Sequence, residues 1–338
     1  MTVLVTGAAG FIGYHVSEAL LARGETVVGV DIVNAYYDVA LKEARLARLA
    51  KHAKFTLVRA DIAEPEQLWA ALDRFGPIKR VVHLAAQAGV RYSLQQPFAY
   101  IQANIVGHLA ILEYCRRIPG FEHLVYASSS SVYGGNEKLP FSVEDRVDRP
   151  VSLYAATKRA DELMSHSYAH LYGVPQTGLR FFTVYGPWGR PDMAPQKFTA
   201  RICKGEPIDV YNNGKMMRDF TFIEDIVEGV VRVTDHIAAV DDAWDPMAPT
   251  PDSSGVAPYR VYNIGRGAPL DLMDFIATLE KQIGKEAVLN YMPIQAGDVE
   301  GTWCDVTALK NAVGYQPKVS LDEGLAKTVA WFRDYYKV

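Results

Sequence analysis

The first half of the chain alternates short apolar runs with longer segments whose apolar residues recur at helical spacing. The apolar runs are predicted strands, and they occupy residues 1–6, 26–31, 55–58, 80–84, 123–127 and 176–180. Between the first two runs, Val16, Leu20 and Leu21 mark one face of a predicted helix. Repeated alternation of this kind predicts an α/β fold built on a doubly wound parallel sheet.

The alternation ends after Phe182, where Gly, Pro and aromatic residues dominate positions 184–189. Residues 1–182 are therefore predicted to form one domain, and residues 183–338 mainly a smaller C-terminal lobe over the carboxyl edge of the sheet. The substrate is expected between them. Segments near 219–236 and 260–266 have the pattern of a helix and a strand that return to the first domain, so the two lobes interleave. Residues 241–258 lack periodicity and are predicted as a surface loop, with a functional lid as the alternative.

Composition and charge exclude several classes of partner. A chain of 338 residues with 49% hydrophobic and 22% charged residues is typical of a soluble two-lobed enzyme. A formal net charge of −4 without basic runs argues against nucleic acid or an anionic membrane as partner. No export signal or membrane-spanning stretch is recognisable. Cys115, Cys203 and Cys304 show neither metal-binding nor disulfide spacing, so we expect reduced thiols, a cytoplasmic location and no metal site.

A glycine loop directly after the first strand predicts the cofactor site. Gly7, Gly10 and Gly13, with Phe11 and Ile12 between the last two, end that strand and open the following helix. This context predicts a Rossmann-type fold that holds a dinucleotide pyrophosphate at a helix N-terminus. Asp31 closes the second strand, where a carboxylate accepts the adenosine ribose hydroxyls and repels a 2′-phosphate, so NAD is favoured over NADP. The alternative for Asp31 is a residue that ends the strand at a turn.

Residues after the third and fourth strands extend the predicted cofactor site. Asp61 is placed to contact adenine, although a helix-capping role is an equal alternative. Small residues after the fourth strand allow backbone to approach the dinucleotide. Asn104 lies in a long helical segment near the expected active site, and its alternative is a polar residue bonded to backbone. The predicted contacts in this group are Asp61, Ile62, Leu84, Ala85, Ala86, Gln87 and Asn104.

Tyr154 and Lys158 stand one helical turn apart, downstream of a run of four serines at 128–131. A phenol beside an ammonium can act as a general base, because the positive charge favours the phenolate. A serine hydroxyl can orient the alcohol that loses its proton. With the nicotinamide expected near the tyrosine, Tyr154 and Lys158 are also predicted cofactor contacts, and the pattern indicates hydride transfer.

These motifs resemble the extended short-chain dehydrogenase/reductase family, through the three glycines, the serine run before Val132, and the Tyr154 to Lys158 spacing. Within that family the chain is most similar to the nucleotide-sugar 4-epimerases, specifically to the UDP-glucuronate 4-epimerases. The stretches at 83–93, 180–187 and 218–223 carry this closer similarity, and the resemblance covers the whole chain. It implies NAD as cofactor and a UDP-sugar as substrate.

The resemblance also implies the catalytic roles. The catalytic Ser/Thr of the family falls on Ser129, which gives the predicted catalytic set Ser129, Tyr154 and Lys158. The family's dehydratases carry Asp-Glu where this chain has Ser130 and Ser131, and the decarboxylating UDP-sugar enzymes carry Glu at Ser131. A hydroxyl cannot replace those carboxylates. The implied reaction is therefore NAD-dependent C4 epimerisation of UDP-glucuronate to UDP-galacturonate by transient oxidation, rotation of the 4-keto sugar, and re-reduction.

The implied substrate contacts include cations and an aromatic ring from the C-terminal half. Arg218 is expected to pair with the diphosphate, Tyr211 to lie against uracil, and Asp298 to accept the uridine ribose hydroxyls. Gln295 stands where many UDP-hexose epimerases carry a second diphosphate arginine. Arg91 is a compensating cation, a contact of the substrate carboxylate, or part of a helix-start salt bridge. The predicted substrate contacts are Arg91, Ser129, Ser130, Ser131, Tyr154, Thr183, Arg190, Tyr211, Arg218 and Asp298.

Several alternatives stay open at this stage. Ser130 and Ser131 would also suit a polar strand exit bonded to backbone, and Arg218 with Asp219 would also suit a surface ion pair. The second candidate function is a 4-epimerase of UDP-glucose or UDP-N-acetylglucosamine. A non-enzymatic alternative is a catalytically silent NAD-binding sensor or scaffold. By resemblance, helices around 97–114 and 152–172 are expected to form a homodimer interface.

Overall fold

The computed structural model describes residues 1–294 and 300–338, so the predicted substrate contact Asp298 and the neighbouring Gln295 lie outside the described residues. In the first half of the chain, strands alternate with helices. These elements are β1 (Thr2–Thr6), α1 (Phe11–Ala22), β2 (Thr26–Asp31), α2 (Val39–Leu49), β3 (Phe55–Arg59), α3 (Pro65–Asp73), β4 (Arg80–His83), α4 (Pro97–Tyr100), α5 (Gly107–Arg117), β5 (His123–Ser129), α6 (Leu153–Tyr172) and β6 (Gln176–Phe181).

The second half has shorter strands and no regular alternation. Its elements are β7 (Thr183–Tyr185), α7 (Ala194–Lys204), β8 (Ile208–Tyr211), β9 (Met217–Arg218), β10 (Phe220–Phe222), α8 (Ile223–Asp235), β11 (Tyr259–Ile264), β12 (Leu270–Asp271), α9 (Leu272–Ile283), β13 (Leu289–Met292), β14 (Gly301–Thr302), α10 (Thr307–Val313) and α11 (Leu321–Tyr336).

Within the described residues, seven strands form one sheet in the order β11-β6-β5-β4-β1-β2-β3. All of its neighbouring strands run parallel. The strand order reverses at β1, which lies between β2 and β4, and a cleft opens outside the carboxyl ends of strands at such a point. The predicted Rossmann-type, doubly wound α/β fold is confirmed.

Both faces of the sheet are buried, as β1 illustrates. Val3 and Val5 belong to one hydrophobic cluster, whereas Leu4 belongs to another, and all three side chains are fully buried. Successive side chains of a strand point to opposite faces, so a continuous apolar run is what a sheet covered by helices on both sides requires. The strand thereby carries the chain rigidly to the glycine loop.

The later elements divide between the sheet and its carboxyl edge. β11 is an edge strand beside β6, and α8 packs against α1. Smaller sheets pair β10 with β7, β13 with β8, and β12 and β14 with β9. The division of the chain into two domains at residues 182 and 183 stays a prediction. In the described ranges no helix is both long enough and apolar enough to cross a membrane.

The irregular segment 241–258 lies at the amino end of β11, away from the carboxyl edge of the sheet. Ser253 forms a bridge with Arg260, and the Val261 amide donates to the Asp252 carbonyl at 2.7 Å. His166 of α6 contacts Ser254 at 3.2 Å. The loop therefore covers the outer edge of the sheet, in agreement with a surface loop and not with a lid over the cleft.

Candidate active site

A cavity of about 1270 Å³ opens at the carboxyl ends of the central strands, between the sheet and the segments that follow Phe182. It brings together nearly all of the residues that the sequence singled out. The predicted residues that line it are Gly7, Gly10, Phe11, Ile12, Gly13, Asp31, Asp61, Ile62, Leu84, Ala85, Ala86, Gln87, Arg91, Ser129, Ser130, Ser131, Tyr154, Lys158, Thr183, Arg190, Tyr211 and Arg218.

The glycine loop forms a cradle that larger residues would fill. Gly7 has φ +75°, and a Cβ there would lie 2.8 Å from the Ala85 nitrogen. A Cβ at Gly13 would lie 2.0 Å from the Gly7 carbonyl oxygen, because α1 packs directly against the turn. The twelve-residue α1 begins at Phe11, so its N-terminal end faces the cavity. This end is suited to a pyrophosphate, and the loop fits a dinucleotide.

Asp31 and Asp61 mark the adenosine end of the cavity. The Asp31 carboxylate accepts from the Ala9 nitrogen at 3.0 Å and from the Val33 nitrogen at 2.7 Å, which fixes it against the glycine loop. Each carboxylate oxygen keeps further acceptor capacity for ribose hydroxyls. Asp61 lines the cavity and accepts from the Ala63 nitrogen at 2.9 Å, whereas the N-cap of α3 is Glu64, so contact of Asp61 with adenine stays a prediction.

Tyr154 and Lys158 project from the first turns of α6 into the cavity. Ser152 begins the helix by accepting from the Ala155 nitrogen at 3.1 Å. The four-residue spacing then puts both side chains on one face. The Lys158 ammonium, almost fully buried, donates to the Ala127 carbonyl and to Asp161 Oδ2, each at 3.0 Å.

The serine run lies at the end of β5, where the strand turns into a short 3₁₀ segment. Ser129 Oγ donates to Ser131 Oγ at 3.1 Å and accepts from the Ser131 nitrogen at 3.2 Å. Both hydroxyls line the cavity, together with Ser130. The serine hydroxyls thus form the local turn and also face the cavity. Bonding to backbone at the end of the strand therefore does not exclude contact with a ligand.

Ser128 donates its hydroxyl to Glu162 at 2.6 Å, beneath the cavity. Glu162 also accepts two bonds from Arg180, at 2.9 and 3.0 Å, and both side chains are completely buried. Burial opposes ionisation of Glu162, but the Arg180 guanidinium, the Ser128 hydroxyl and Arg159 together outweigh it and hold the pKa of Glu162 below its ordinary value. The Ser128 bond anchors the end of β5 to α6, and Arg180 joins the same carboxylate to β6, so the serine run is fixed relative to Tyr154.

Asn104 lies behind the cavity wall in a π-helical segment, Ile101–Val106. Its side chain accepts from the Gln87 nitrogen at 2.8 Å and donates to the Gln87 carbonyl at 3.2 Å and to Thr157 at 2.9 Å. Both amide N–H groups are therefore engaged by protein. This placement favours a role in holding the Gln87 loop against α6, and direct contact of Asn104 with the cofactor stays a prediction.

Two of the predicted substrate residues make contacts that sequence reasoning did not foresee. The Arg190 guanidinium pairs with Asp192 through bonds of 2.6 and 3.1 Å. The guanidinium of Arg91 lies 5.0 Å from the centre of the Tyr211 ring. These pairs hold both arginine side chains at the mouth of the cavity, which is formed by Arg91 and by residues after Phe182. The cation–π contact joins the two halves of the chain across the cleft.

Arg218 and Asp219 do not form a surface ion pair. Asp219 is fully buried, and its carboxylate accepts from the backbone nitrogens of Arg266 at 2.7 Å and Gly267 at 2.9 Å. Arg218 donates to the carbonyls of Met217 and Glu300 at 2.8 and 3.0 Å and lines the cavity. The buried carboxylate thus fixes the strand that presents the arginine.

Sequence reasoning missed a group of residues that complete the wall. Tyr36 follows β2, lies against Tyr92 with 4.8 Å between ring centres, and donates to Asp192 at 3.2 Å. Burial raises the pKa of Tyr36 to about 12, which keeps its hydroxyl protonated. No local motif marks these residues, since they meet only through long-range packing. The missed wall residues are Asn34, Tyr36, Tyr37, Lys42 and Asp192, whereas Tyr92 belongs to the stretch 83–93 that carries the family resemblance.

Comparison with known proteins agrees with this geometry. Residues 3–265 match the model of the NAD dependent epimerase/dehydratase family. The chain belongs to this family. It is an NAD-dependent enzyme, and the family resemblance inferred from its motifs is confirmed.

The most informative relatives share almost the whole chain. The chain is 50% identical over 337 residues to Protein CapI of Staphylococcus aureus, covering 100% of both proteins. It is 48% identical over 340 residues to a probable UDP-glucuronate 4-epimerase of Rhizobium meliloti (strain 1021), covering 100% of this chain and 98% of the relative. A crystal structure of UDP-glucuronic acid 4-epimerase from Bacillus cereus, in complex with UDP-glucuronic acid and NAD, superposes with a TM-score of 0.86. It is 33% identical, with coverage of 99% of this chain and 100% of that one.

Proposed function

We propose that the protein is an NAD-dependent UDP-glucuronate 4-epimerase, an isomerase that interconverts UDP-glucuronate and UDP-galacturonate. The observation that carries this proposal is that Ser130 and Ser131 line the same cavity as Tyr154 and Lys158. Elimination of water or loss of carbon dioxide by this family uses carboxylates at those two positions, and a neutral hydroxyl does not replace them. Oxidation and re-reduction at C4 remain.

The chain supplies the proton chemistry of this reaction. Tyr154, as phenolate, takes the proton of the 4-hydroxyl group, and Lys158 stabilises the phenolate. Ser129 donates a hydrogen bond that holds the reacting oxygen. When bound, NAD would supply the acceptor for the hydride from C4 and, in its reduced form, the donor that returns the hydride to C4. After the keto sugar has turned over, Tyr154 returns the proton to the same oxygen while C4 takes back the hydride on its other face, so C4 is inverted and no net oxidation occurs.

Rotation of the sugar between the two steps requires that the nucleotide, and not the sugar, is held firmly. The side chains at the mouth of the cavity support this division between a firmly held nucleotide and a loosely held sugar. Arg218 lies on a strand fixed by Asp219, and Tyr211 lies at the end of β8, so both are suited to anchor the UDP portion. Asp192 neutralises the charge of the Arg190 guanidinium, which weakens the attraction between Arg190 and the carboxylate of a uronate.

A uronate raises a particular difficulty, because a ketone at C4 beside the C5 carboxylate favours loss of carbon dioxide. We propose that Ser130, Ser131 and Thr183 hold the carboxylate charged and in an unreactive orientation by donating hydrogen bonds. All three line the cavity. Hydrogen bonds to the carboxylate oxygens stabilise their negative charge, and loss of carbon dioxide would remove that charge from the site.

The decisive experiment is incubation of the purified protein with UDP-glucuronate and NAD, followed by chromatography and proton NMR. We expect UDP-galacturonate with no net NADH. UDP-xylose or a UDP-4-keto-pentose as main product would refute the proposed role of the serines, and turnover of UDP-glucose far above that of UDP-glucuronate would replace the uronate assignment with a neutral-hexose one.

Ser130→Ala and Ser131→Ala test the serine hypothesis directly. Each should lower epimerisation of the uronate or release pentose product, because one carboxylate donor is lost. Ser142→Ala, in an exposed turn beside Glu144, serves as the matched control. Unaltered rate and product distribution in both active-site variants would overturn the hypothesis.

We also propose that the protein is a homodimer that acts in the cytoplasm. The support for a dimer is a set of exposed apolar side chains on the helices between residues 91 and 117 and on α6, and Phe98 there is 82% exposed. Patches of this kind typically mark protein interfaces. Sedimentation of the wild type and of Phe98→Asp tests the dimer, and cell fractionation tests the location. The exposed apolar residues are Leu94, Phe98, Ile101, Leu109, Leu163 and Leu171.

A further inference from the structure

Lys158 has a buried acidic neighbour one turn further along α6. Its ammonium lies 3.0 Å from Asp161 Oδ2, and the two side chains are 4% and 1% exposed. The Ala127 carbonyl takes a second N–H, also at 3.0 Å. An ammonium has three N–H groups, so this arrangement leaves one for the cavity that Lys158 lines. Two protein acceptors therefore fix the direction of the third.

We propose that Asp161 is a positioning residue for the reaction: its carboxylate holds the Lys158 ammonium at the cavity wall and offsets part of the positive charge that Lys158 presents to Tyr154. The inference rests on the proposed function, which assigns proton transfer to Tyr154 and Lys158. The physical basis is that a buried ammonium is stable only when it is paired and hydrogen-bonded. Asp161 meets both requirements.

The other titratable groups around Asp161 keep one charge state through the neutral range. Glu162, next along α6, stays ionised because Arg180, Ser128 and Arg159 together outweigh its burial and keep its pKa low. His83 of β4 and His108 of α5 stay neutral, since burial lowers the pKa of His83 to about 3 and that of His108 well below the ordinary value.

Asp161 itself changes charge near neutrality. Burial raises the pKa of its carboxyl to about 7, although the Lys158 ammonium opposes this shift. Its other oxygen, Oδ1, is buried and has no hydrogen-bond partner among the described residues, which is consistent with a carboxyl that is poorly stabilised as an anion. The negative charge of Asp161, which offsets the charge of Lys158, is therefore mostly absent below about pH 7 and mostly present above it.

Two substitutions separate the charge of Asp161 from its hydrogen bond. Asp161→Asn keeps an acceptor of the same size for Lys158 but never carries charge, so it reproduces the protonated form at every pH. Asp161→Leu removes the acceptor as well. Asp225→Asn is the matched control, because that carboxylate is also buried and accepts from the nitrogens of Lys318 and Val319 at 3.0 and 3.1 Å, but it does not line the cavity.

The experiment combines pH–rate profiles with a titration of Tyr154 that needs no turnover. The near-ultraviolet phenolate signal of each protein is measured against the same protein carrying Tyr154→Phe, which isolates one tyrosine. In Asp161→Asn, kcat should stay within about threefold of wild type at about pH 6, where both forms are uncharged at this position. Its phenolate titration and the acid limb of kcat/KM should move about half to one unit to lower pH.

Asp161→Leu should lose kcat by about tenfold or more while KM changes little, because misplacement of a catalytic group affects the transition state and not ground-state binding. Asp225→Asn should leave the titration and the rates unchanged. Unchanged titration and pH profile in Asp161→Asn, or unchanged kcat in Asp161→Leu, would overturn the inference. If the wild type fails to epimerise UDP-glucuronate but the Asp161→Asn titration still shifts, the proposed function fails and the positioning role stands.

Discussion

The floor and the mouth of the cavity are built in different ways. The floor, formed by the glycine loop, the end of β5 and the start of α6, rests on buried polar pairs such as Glu162 with Arg180. The mouth, formed by residues after Phe182 together with Arg91, carries partly exposed cations. Arg190 there pairs with a local carboxylate, and Arg91 lies over the ring of Tyr211.

This difference corresponds to two different tasks. Proton transfer requires that Tyr154, Lys158 and Ser129 keep their relative positions to within a fraction of an ångström. A sugar that turns over between two half-reactions requires neighbours that release and rebind it. Buried, fully paired groups suit the first task because moving them leaves charges without partners. Exposed pairs suit the second, since water replaces each lost contact at little cost.

The sharpest test of the floor is Tyr154→Phe, which removes the general base. We expect kcat to fall by about 10³-fold, because general acid–base catalysis by one group contributes roughly that much. NAD content and KM should change little. Tyr291→Phe, which alters an exposed tyrosine outside the cavity, is the control. A Tyr154→Phe enzyme within tenfold of wild type would remove the tyrosine from the mechanism.

The support beneath the floor is tested by Glu162→Gln. Breaking a fully buried ion pair leaves Arg180 without its counter-charge, so the free energy of unfolding should fall by about 3–5 kcal/mol. Glu43→Gln breaks an exposed pair in which Arg59 donates two bonds, at 2.7 and 2.8 Å, and should cost about 0–1 kcal/mol. Both are measured by urea unfolding at one protein concentration. Equal losses would contradict the contrast between buried and exposed pairs.

Acid should weaken the sheet that supports the floor. Burial lowers the pKa of His123 to about 4, so its folded form binds a proton far less readily than the unfolded chain. A depressed histidine pKa contributes stability that is complete above the unfolded value and lost as pH falls from about 6.5 toward 4, at about 1.4 kcal/mol per pH unit.

His15 and His83 behave in the same way, with burial lowering their pKa values to about 4 and about 3. Asp161 acts in the opposite direction, because its raised pKa makes the fold more stable as pH falls from about 7. His123→Gln should reduce the slope of unfolding free energy against pH by about 1.4 kcal/mol per unit between pH 6 and 4. An unchanged slope would show that His123 is not neutral in the fold.

The smallest expected effect concerns the mouth. Arg218→Gln should raise KM for the UDP-sugar by about tenfold and change kcat by less than about twofold, because anchoring the nucleotide contributes equally to ground and transition states. Arg232→Gln, an exposed arginine of α8 paired with Glu228, is the control. A large fall in kcat without a change in KM would place Arg218 among the groups of the floor.

The sequence alone determined the sheet and the main chemical groups. β1, the glycine loop and α1 are contiguous, so local spacing and the period of apolar residues are enough to predict them. Asp31 at the end of β2, and Tyr154 with Lys158 on one turn of α6, follow from the same local rules. Each of these residues lines the cavity as expected.

The residues that support the cavity wall become apparent only in the folded chain. Arg45 is fully buried and donates to the Ala9 carbonyl at 2.8 Å and to the Trp188 carbonyl at 2.6 Å, and Trp188 lies 143 residues further along the chain than Arg45. Tyr36 reaches Asp192 across 156 residues. Periodicity reports which face of an element is buried, but it carries no information on which distant loop will meet that face. The contacts of Arg45 and Tyr36 are therefore set by the packing of distant segments, which becomes defined only when the chain is folded.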